Sequence, residues 1–352
     1  MSPLGGAEPL LEVEGLTVDF RTDDGVVRAV RDLSYDLSPG EVLGIVGESG
    51  SGKSVSSMAL LGLLPRTATV SGSAVFRGEQ LLGMPEARLN AVRGKRIAMI
   101  FQDPMTSLNP VHRVGDQIAE AILSAGNVDR REAERRAIEA LDLVGIPHAA
   151  QRARGYPHEF SGGMRQRAMI AMAMANDPDL IIADEPTTAL DVTVQAQILE
   201  TLRRVRGETK AALLLITHDL GVVANMADRV LVMYAGRAVE RGTVDEIYDA
   251  PRMPYTVGLL GSLPRLDTDA DRLTPITGSP PSLLNLPPGC PFEPRCPMAG
   301  EPCATEEPPL EPTETPGHDA ACHFSDRLGA TVRADEVFAT TSVDDVAEAD
   351  AT

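Results

Sequence analysis

Gly47-Glu48-Ser49-Gly50-Ser51-Gly52-Lys53-Ser54 is a complete G-x-x-x-x-G-K-[ST] loop. The apolar text Val42-Leu-Gly-Ile-Val46 runs into it, and Ser54 to Leu64 follows as helical text closed by Pro65. Strand, glycine loop and helix in that order is the context in which the pattern binds phosphate. Its glycines let backbone N–H groups converge on one anion. The helix behind them adds a positive end worth about half a charge. Residues Gly47 to Val55 are therefore expected to hold a nucleotide, with Lys53 on the β- and γ-phosphates and Ser54 on Mg²⁺.

Such a loop occurs in many classes of nucleotide hydrolase, and a second apolar strand narrows the choice. Leu180-Ile-Ile-Ala-Asp184-Glu185 puts two carboxylates at the end of a buried strand, where α/β sheets take their ligands. Asp184 is expected to hold Mg²⁺ through water. Glu185, one residue on, is expected to orient and deprotonate an attacking water.

Around these motifs, residues from about Leu10 to Arg241 read as one α/β domain. Ala212–Ile216 is another continuous apolar strand, as in a sheet covered on both faces. From Asp129 to Val144, apolar Ala133, Ala137, Leu141 and Val144 recur at helical spacing among charges. Residues 264 to 316 are dense in proline, and after Arg333 the chain has acids but no basic residue. This divides the chain into a nucleotide-binding domain at 8–262, a loop-rich unit at 263–330 and an acidic tail at 331–352 expected to be disordered.

The formal net charge of −19 speaks against a nucleic-acid partner. No apolar run reaches the roughly 18–20 residues a membrane helix needs. The first residues, MSPLGGAEPLLEVEGL, lack the pattern of a secretory signal. The expected location is the cytosol, with any membrane role exercised by docking onto other subunits. All four cysteines lie late, spaced C-x5-C-x6-C-x18-C from Cys290 through Cys296 and Cys303 to Cys322. In a reducing compartment such a group reads as a metal site before it reads as disulfides, although the C-x2-C pairs of common zinc modules are missing.

Further segments carry a family resemblance. Phe160-Ser161-Gly162-Gly163-Met164-Arg165-Gln166 resembles the signature motif of ABC ATPases, and it precedes the carboxylate strand as it does in that family. Gln102 after Ile-Ala-Met-Ile-Phe matches the Q-loop, Ala189-Leu190-Asp191 the D-loop, and His218 after Leu-Leu-Leu-Ile-Thr the switch histidine. Phe20 stands where the family stacks an aromatic on adenine. A lone histidine after a strand is usually structural; this context reverses that reading for His218, whereas His112, His148 and His158 have no such context.

The resemblance implies a P-loop NTPase of ABC type. Its parts are a RecA-like core sheet, an antiparallel β subdomain and a helical signature subdomain at about 103–175. It implies catalysis by Glu185, His218 and Gln102, with Mg²⁺ held by Ser54, Gln102 and Asp184. It also implies that Ser161, Gly162, Gly163 and Met164 act in trans. Ser161 can cap the helix behind it and form an anion site with the glycine amides. The nucleotide for that site would come from a facing subunit.

Gln102-Asp-Pro-Met-Thr-Ser-Leu-Asn-Pro110, Tyr156-Pro-His-Glu-Phe, Pro254-Tyr-Thr-Val-Gly-Leu-Leu and Pro288-Gly-Cys-Pro-Phe-Glu-Pro-Arg-Cys296 are similar to ATPases of dipeptide, oligopeptide and nickel importers. The implied function is ATP-driven peptide import at the cytoplasmic face of the membrane, with nickel as the alternative cargo. Implied partners are a sister ATPase forming a heterodimer, two permeases and an extracytoplasmic peptide-binding protein. Met164 departs from the glutamine most ABC proteins carry, which puts one side-chain contact in doubt and leaves Ser161 and both glycines intact. The resemblance further implies a [4Fe–4S] cluster on Cys290, Cys296, Cys303 and Cys322. Zinc is the alternative, with His318 or His323 as substitute ligands. A soluble ABC ATPase of DNA repair or translation is disfavoured, because neither a coiled-coil insertion nor a second ATPase copy is present. A non-hydrolytic role is disfavoured because Glu185 and His218 are both intact.

Overall fold

The computed structural model describes residues 8–103, 107–126, 128–188, 191–262, 275–330 and 334–338. Two sheets organise it. In the first, β1 (Leu11–Thr22) and β2 (Gly25–Leu37) form an antiparallel hairpin turned at Asp23-Asp24. On the other side of β1 lies β4 (Ala68–Phe76), followed at the edge by β5 (Glu79–Gln80). Leu11, Val13, Leu16 and Val18 are buried, with more exposed residues between them, as expected for a sheet with one covered face.

The second sheet holds the apolar strands. Its parallel part comprises β3 (Val42–Val46), β6 (Ile97–Ile100), β7 (Leu180–Asp184), β8 (Ala212–Thr217) and β9 (Arg229–Tyr234). It continues antiparallel through β10 (Arg237–Thr243), β12 (Asp319–Ala320) and β11 (Glu311–Pro312), in the order β11-β12-β10-β9-β3-β8-β7-β6. Every residue of β3, β7 and β8 is buried, which is why these strands read as unbroken apolar text. Alternate residues serve opposite layers. Leu43, Ile45, Leu214 and Ile216 pack towards the antiparallel sheet, while Val42, Val46, Leu213 and Leu215 pack into the helical layer. Adjacent β3, β8, β7 and β6 thereby bring their carboxyl ends into one row, the usual ligand edge of such sheets.

The helical layer includes Val114–Ala125, Arg130–Leu143 and Gly162–Met174. Asp129 caps the second of these by accepting from the Glu132 amide at 2.9 Å, and Ala133, Ala137 and Leu141 form its buried stripe. The helix after the glycine loop, Lys53–Leu60, is shorter than its text suggests. Gly62, at φ +58°, takes the left-handed conformation that stops a helix there. Among the described residues, no helix is long and apolar enough to cross a membrane.

The cysteine-bearing segment does not lean on a core of its own. The expected boundary after 262 adjoins residues 263–274, which lie outside the described residues. Beyond them, β12 pairs with β10, and Phe292, Cys290, Cys303 and Leu328 are buried in the same core as the helical layer. Two polar ties accompany that pairing. Arg241 meets Asp319, and the His318 Nε2 lies 2.7 Å from Glu240 Oε1 with both side chains buried. Within the expected tail, Ala334–Phe338 is helical with Phe338 buried; residues 331–333 and 339–352 lie outside the described residues.

Candidate active site

The glycine loop leaves β3 and enters the helix Lys53–Leu60 through Gly52, at φ +100°. A Cβ on Gly52 would stand 2.4 Å from the Ala29 carbonyl oxygen, so a larger residue fits neither the backbone nor the space. Lys53 folds back over the loop, its Nζ donating to the carbonyls of Gly47 at 2.7 Å and Glu48 at 2.9 Å. Burial pulls its ammonium below the ordinary lysine range, against the opposite influence of Glu185, Asp184 and Glu48. The helix start presents first-turn amides with no intrahelical partner, beside a buried cation. That is the chemistry of a polyphosphate site.

Asp184 ends β7 and accepts from Ser54 Oγ at 2.8 Å, so two of the three expected magnesium ligands touch. Burial raises the Asp184 carboxyl above its usual range, outweighing the Ser54 hydrogen bond and the nearby Lys53 charge. A desolvated carboxylate beside a hydroxyl suits a hard divalent cation that takes oxygen ligands.

Glu185 follows at φ +47°, a backbone conformation that is unfavourable for a side-chain-bearing residue and recurs at functional sites. Its amide is tied to the Ile216 carbonyl at 2.8 Å, which fixes it against β8. One carboxylate oxygen, Oε2, receives Thr188 Oγ1, His218 Nδ1 at 3.1 Å and, at the limit of hydrogen bonding, Gln102 Nε2 at 3.5 Å. Burial raises this carboxyl, but the Thr188 and His218 hydrogen bonds and the His218 and Lys53 charges overcome it and hold it below the glutamate range. The group stays ionised and can accept a proton. Sequence reading brought Gln102, Glu185 and His218 forward; it missed Thr188, for which the only signal is the Thr187-Thr188 pair after Asp-Glu-Pro. Thr188→Val should lower turnover about tenfold with little change in nucleotide affinity, because it frees a carboxylate oxygen to rotate. Steady-state hydrolysis beside a binding titration checks that.

Ser161 caps the helix Gly162–Met174, its Oγ accepting from the Met164 amide at 3.3 Å. Ser161 and Gly162 are exposed, whereas Gly163 is buried with Val194 Cγ1 2.7 Å from where its Cβ would be. The second glycine is thus required by packing against the next helix, Val192–Thr209. Asp191 caps that helix through the Val194 amide at 3.0 Å; Ala189 and Leu190 of the same motif lie outside the described residues. Gln195 on this helix reaches Asp219, the cap of the helix after His218, at 2.7 Å. Phe20 is half-buried on β1, paired in register with Val27 and Ala68.

All four cysteines line one small void with Pro254, Phe292, Met298 and His323, and none forms a disulfide. Burial pushes the Cys296 thiol up to about 12 and Cys322 to about 11, and proximity to the other thiols adds to both. Each candidate histidine has one ring nitrogen engaged elsewhere. His318 Nε2 engages Glu240, and His323 Nε2 donates to the Glu306 carbonyl at 3.0 Å. Among the described residues, no three Cys, His, Asp or Glu side chains are grouped to hold a metal ion. The expected [4Fe–4S] cluster and its zinc alternative are therefore not supported.

The family described as ABC transporter matches residues 30–188, and the oligopeptide/dipeptide transporter C-terminal region matches 239–303. The oligopeptide transport ATP-binding protein OppD of Mycobacterium bovis is 59% identical over 316 residues, 89% of this chain. That stretch is 52% of the mycobacterial protein, so the chain spans about half that relative's length. The OppD of Escherichia coli is 54% identical across 90% of this chain and 93% of its own length. Among solved structures, the dimeric bacterial ABC transporter cassette MJ0796 superposes with a TM-score of 0.60 at 25% identity, covering 66% of this chain and 98% of that one. The cbiO1 subunit of Clostridium perfringens gives 0.58 at 27% identity, over 69% and 91% of the two chains. With the Escherichia coli relative matched along nearly all of its length, the chain belongs to the family of oligopeptide transport ATP-binding proteins of ABC transporters.

Proposed function

We propose that this chain hydrolyses ATP to energise the import of di- or oligopeptides across the cytoplasmic membrane. The observation that carries the reading is the meeting of Lys53, Ser54, Asp184, Glu185, Gln102 and His218 at the carboxyl ends of adjacent strands. The peptide cargo rests on the relatives' names and on the matched C-terminal region.

The loop amides and Lys53 bind the β- and γ-phosphates of ATP. Ser54, Asp184 and Gln102 would hold Mg²⁺, which when bound neutralises charge on the phosphates. Glu185 orients a water in line with the γ-phosphorus and takes its proton as the new P–O bond forms. The bond to the β–γ bridging oxygen breaks, and ADP leaves with the electron pair. His218 and Thr188 hold the Glu185 carboxylate in place.

The signature acts on a second ATPase chain. Ser161, Gly162, Asp191 and Val192 are all exposed, and Val192 is an apolar side chain left 83% in solvent. MJ0796, similar in fold, is described as a dimer. The partner in our reading is a non-identical sister ATPase, and the pair docks from the cytoplasmic side onto two permeases served by an extracytoplasmic peptide-binding protein. Purified alone, the chain should turn ATP over slowly, with a rate per chain that rises with concentration and again when sister ATPase and permeases are added. Full activity from a verified monomer would contradict a signature that acts on a second chain.

A further inference from the structure

Two segments that the catalytic reading leaves unused, Pro254–Leu260 and Pro288–Cys296, converge on one residue of the phosphate loop. Glu48 turns its carboxylate away to Arg295, 247 residues later in the chain, which grips both oxygens at 2.6 and 2.9 Å. The Arg295 side chain is 4% exposed and is fixed on every side. Its Nε donates to the Thr277 carbonyl at 3.1 Å and its Nη1 also reaches Tyr234 Oη at 3.3 Å. The guanidinium lies 5.9 and 5.8 Å from the Tyr234 and Phe292 ring centres. The Glu48 amide, in turn, donates to Tyr255 Oη at 2.8 Å. Tyr234, Tyr255 and Phe292 pack with ring centres 4.5 to 5.4 Å apart, so both grips stand on one aromatic cluster.

We infer that Arg295 is a positioning residue for nucleotide binding: it fixes the second residue of the phosphate loop and cancels a carboxylate that would otherwise repel the triphosphate. The inference rests on the nucleotide reading above and assigns the cysteine-bearing segment a part in it. A glutamate inside a phosphate loop is electrostatically adverse, and its charge is felt as far as Lys53. Paired bidentately with a buried arginine, that charge is neutralised and its direction fixed. Unpaired, it acts on the phosphates through a medium far less screening than water.

The test is equilibrium titration of the purified full chain with a fluorescent ATP analogue and Mg²⁺, with folding followed by circular dichroism and thermal melting. Arg295→Gln should weaken binding about tenfold, the effect of one charge at close range in partly screened surroundings. Arg295→Lys should recover only part of this, since lysine cannot make the two-pronged grip. Glu48→Gln alone should tighten ATP about two- to threefold, because it leaves the positive charge of Arg295 uncompensated near the loop. The double variant should bind ATP at least about fivefold more tightly than Arg295→Gln, because the exposed carboxylate is gone. In the assembled ATPase, Arg295→Gln should raise KM for ATP and leave kcat nearly unchanged.

A purely structural arginine would lower the melting temperature and leave folded protein with unchanged affinity, and that result overturns the inference. So does a double variant no better than the single one. If Arg295→Gln does not fold, Glu48→Gln still decides, because a tenfold loss of affinity there would contradict the charge argument. Wild-type chain that binds no ATP, with Lys53→Ala indistinguishable from it, would instead remove the nucleotide reading and this inference with it.

Discussion

Replacing Glu185 by Gln is expected to leave Mg-ATP binding in place and to slow hydrolysis by about a hundredfold or more, the range for a well-placed general base. The substituted amide keeps the shape of the side chain and one carbonyl oxygen able to accept from Thr188, so the loop should hold its conformation. What it loses is the capacity to take a proton from water. The native carboxylate is kept ionised by Thr188 and His218 despite burial, which is the state a base must have before attack. Lys53→Ala should act differently and weaken nucleotide binding itself, because the ammonium that spans Gly47 and Glu48 is gone. Single-turnover hydrolysis and a binding titration on the same preparations separate the two. Unmodified turnover in the assembled complex carrying Glu185→Gln would show that another group serves as base.

His318→Ala is expected to destabilise the fold by about 3 kcal/mol or more, a loss typical of stripping one partner from a buried polar pair. Glu240 is fully buried, and its Oε1 is served by His318 and by the Arg252 amide at 2.5 Å. Its other oxygen already lacks a hydrogen-bond partner among the described residues. Removing the imidazole leaves the carboxyl still less satisfied at the point where β12 joins β10. The C-terminal segment should loosen first, and through Arg295 and Tyr255 the phosphate loop should feel it. Chemical denaturation with and without ATP reads both effects. A midpoint equal to that of the wild type would mean the pair contributes no net stability.

How much of this could be read in advance follows from how local each feature is. The glycine loop and the Asp184-Glu185 strand end were legible because strand, turn and helix sit within a few residues, and their order alone puts carboxylates beside a phosphate site. The helix from Arg130 was legible because one cap and one apolar stripe define it. The contribution of Thr188 was hidden, since nothing in a Thr-Thr pair says which hydroxyl turns back to Glu185. Arg295 was hidden for a stronger reason: its partner lies 247 residues away, and only the folded chain puts them together. The cysteines show the limit from the other side. Their spacing says that four thiols share a segment, but it cannot say how the side chains are aimed, and here they line a packed void. Strands of two residues such as β11 and β12 carry no periodicity, so the attachment of the C-terminal segment to the main sheet was invisible.

Peptide import driven by ATP hydrolysis at Glu185 is the central claim, and transport itself tests it most directly. Uptake of a radiolabelled oligopeptide should be measured in cells that lack other peptide importers and express this chain with its permeases, sister ATPase and binding protein. With wild-type chain, uptake should be rapid and abolished by depleting ATP. With Glu185→Gln or Lys53→Ala, it should fall to background although the protein is still recovered with the membrane. Peptide uptake that proceeds at the wild-type rate with either variant would contradict the claim.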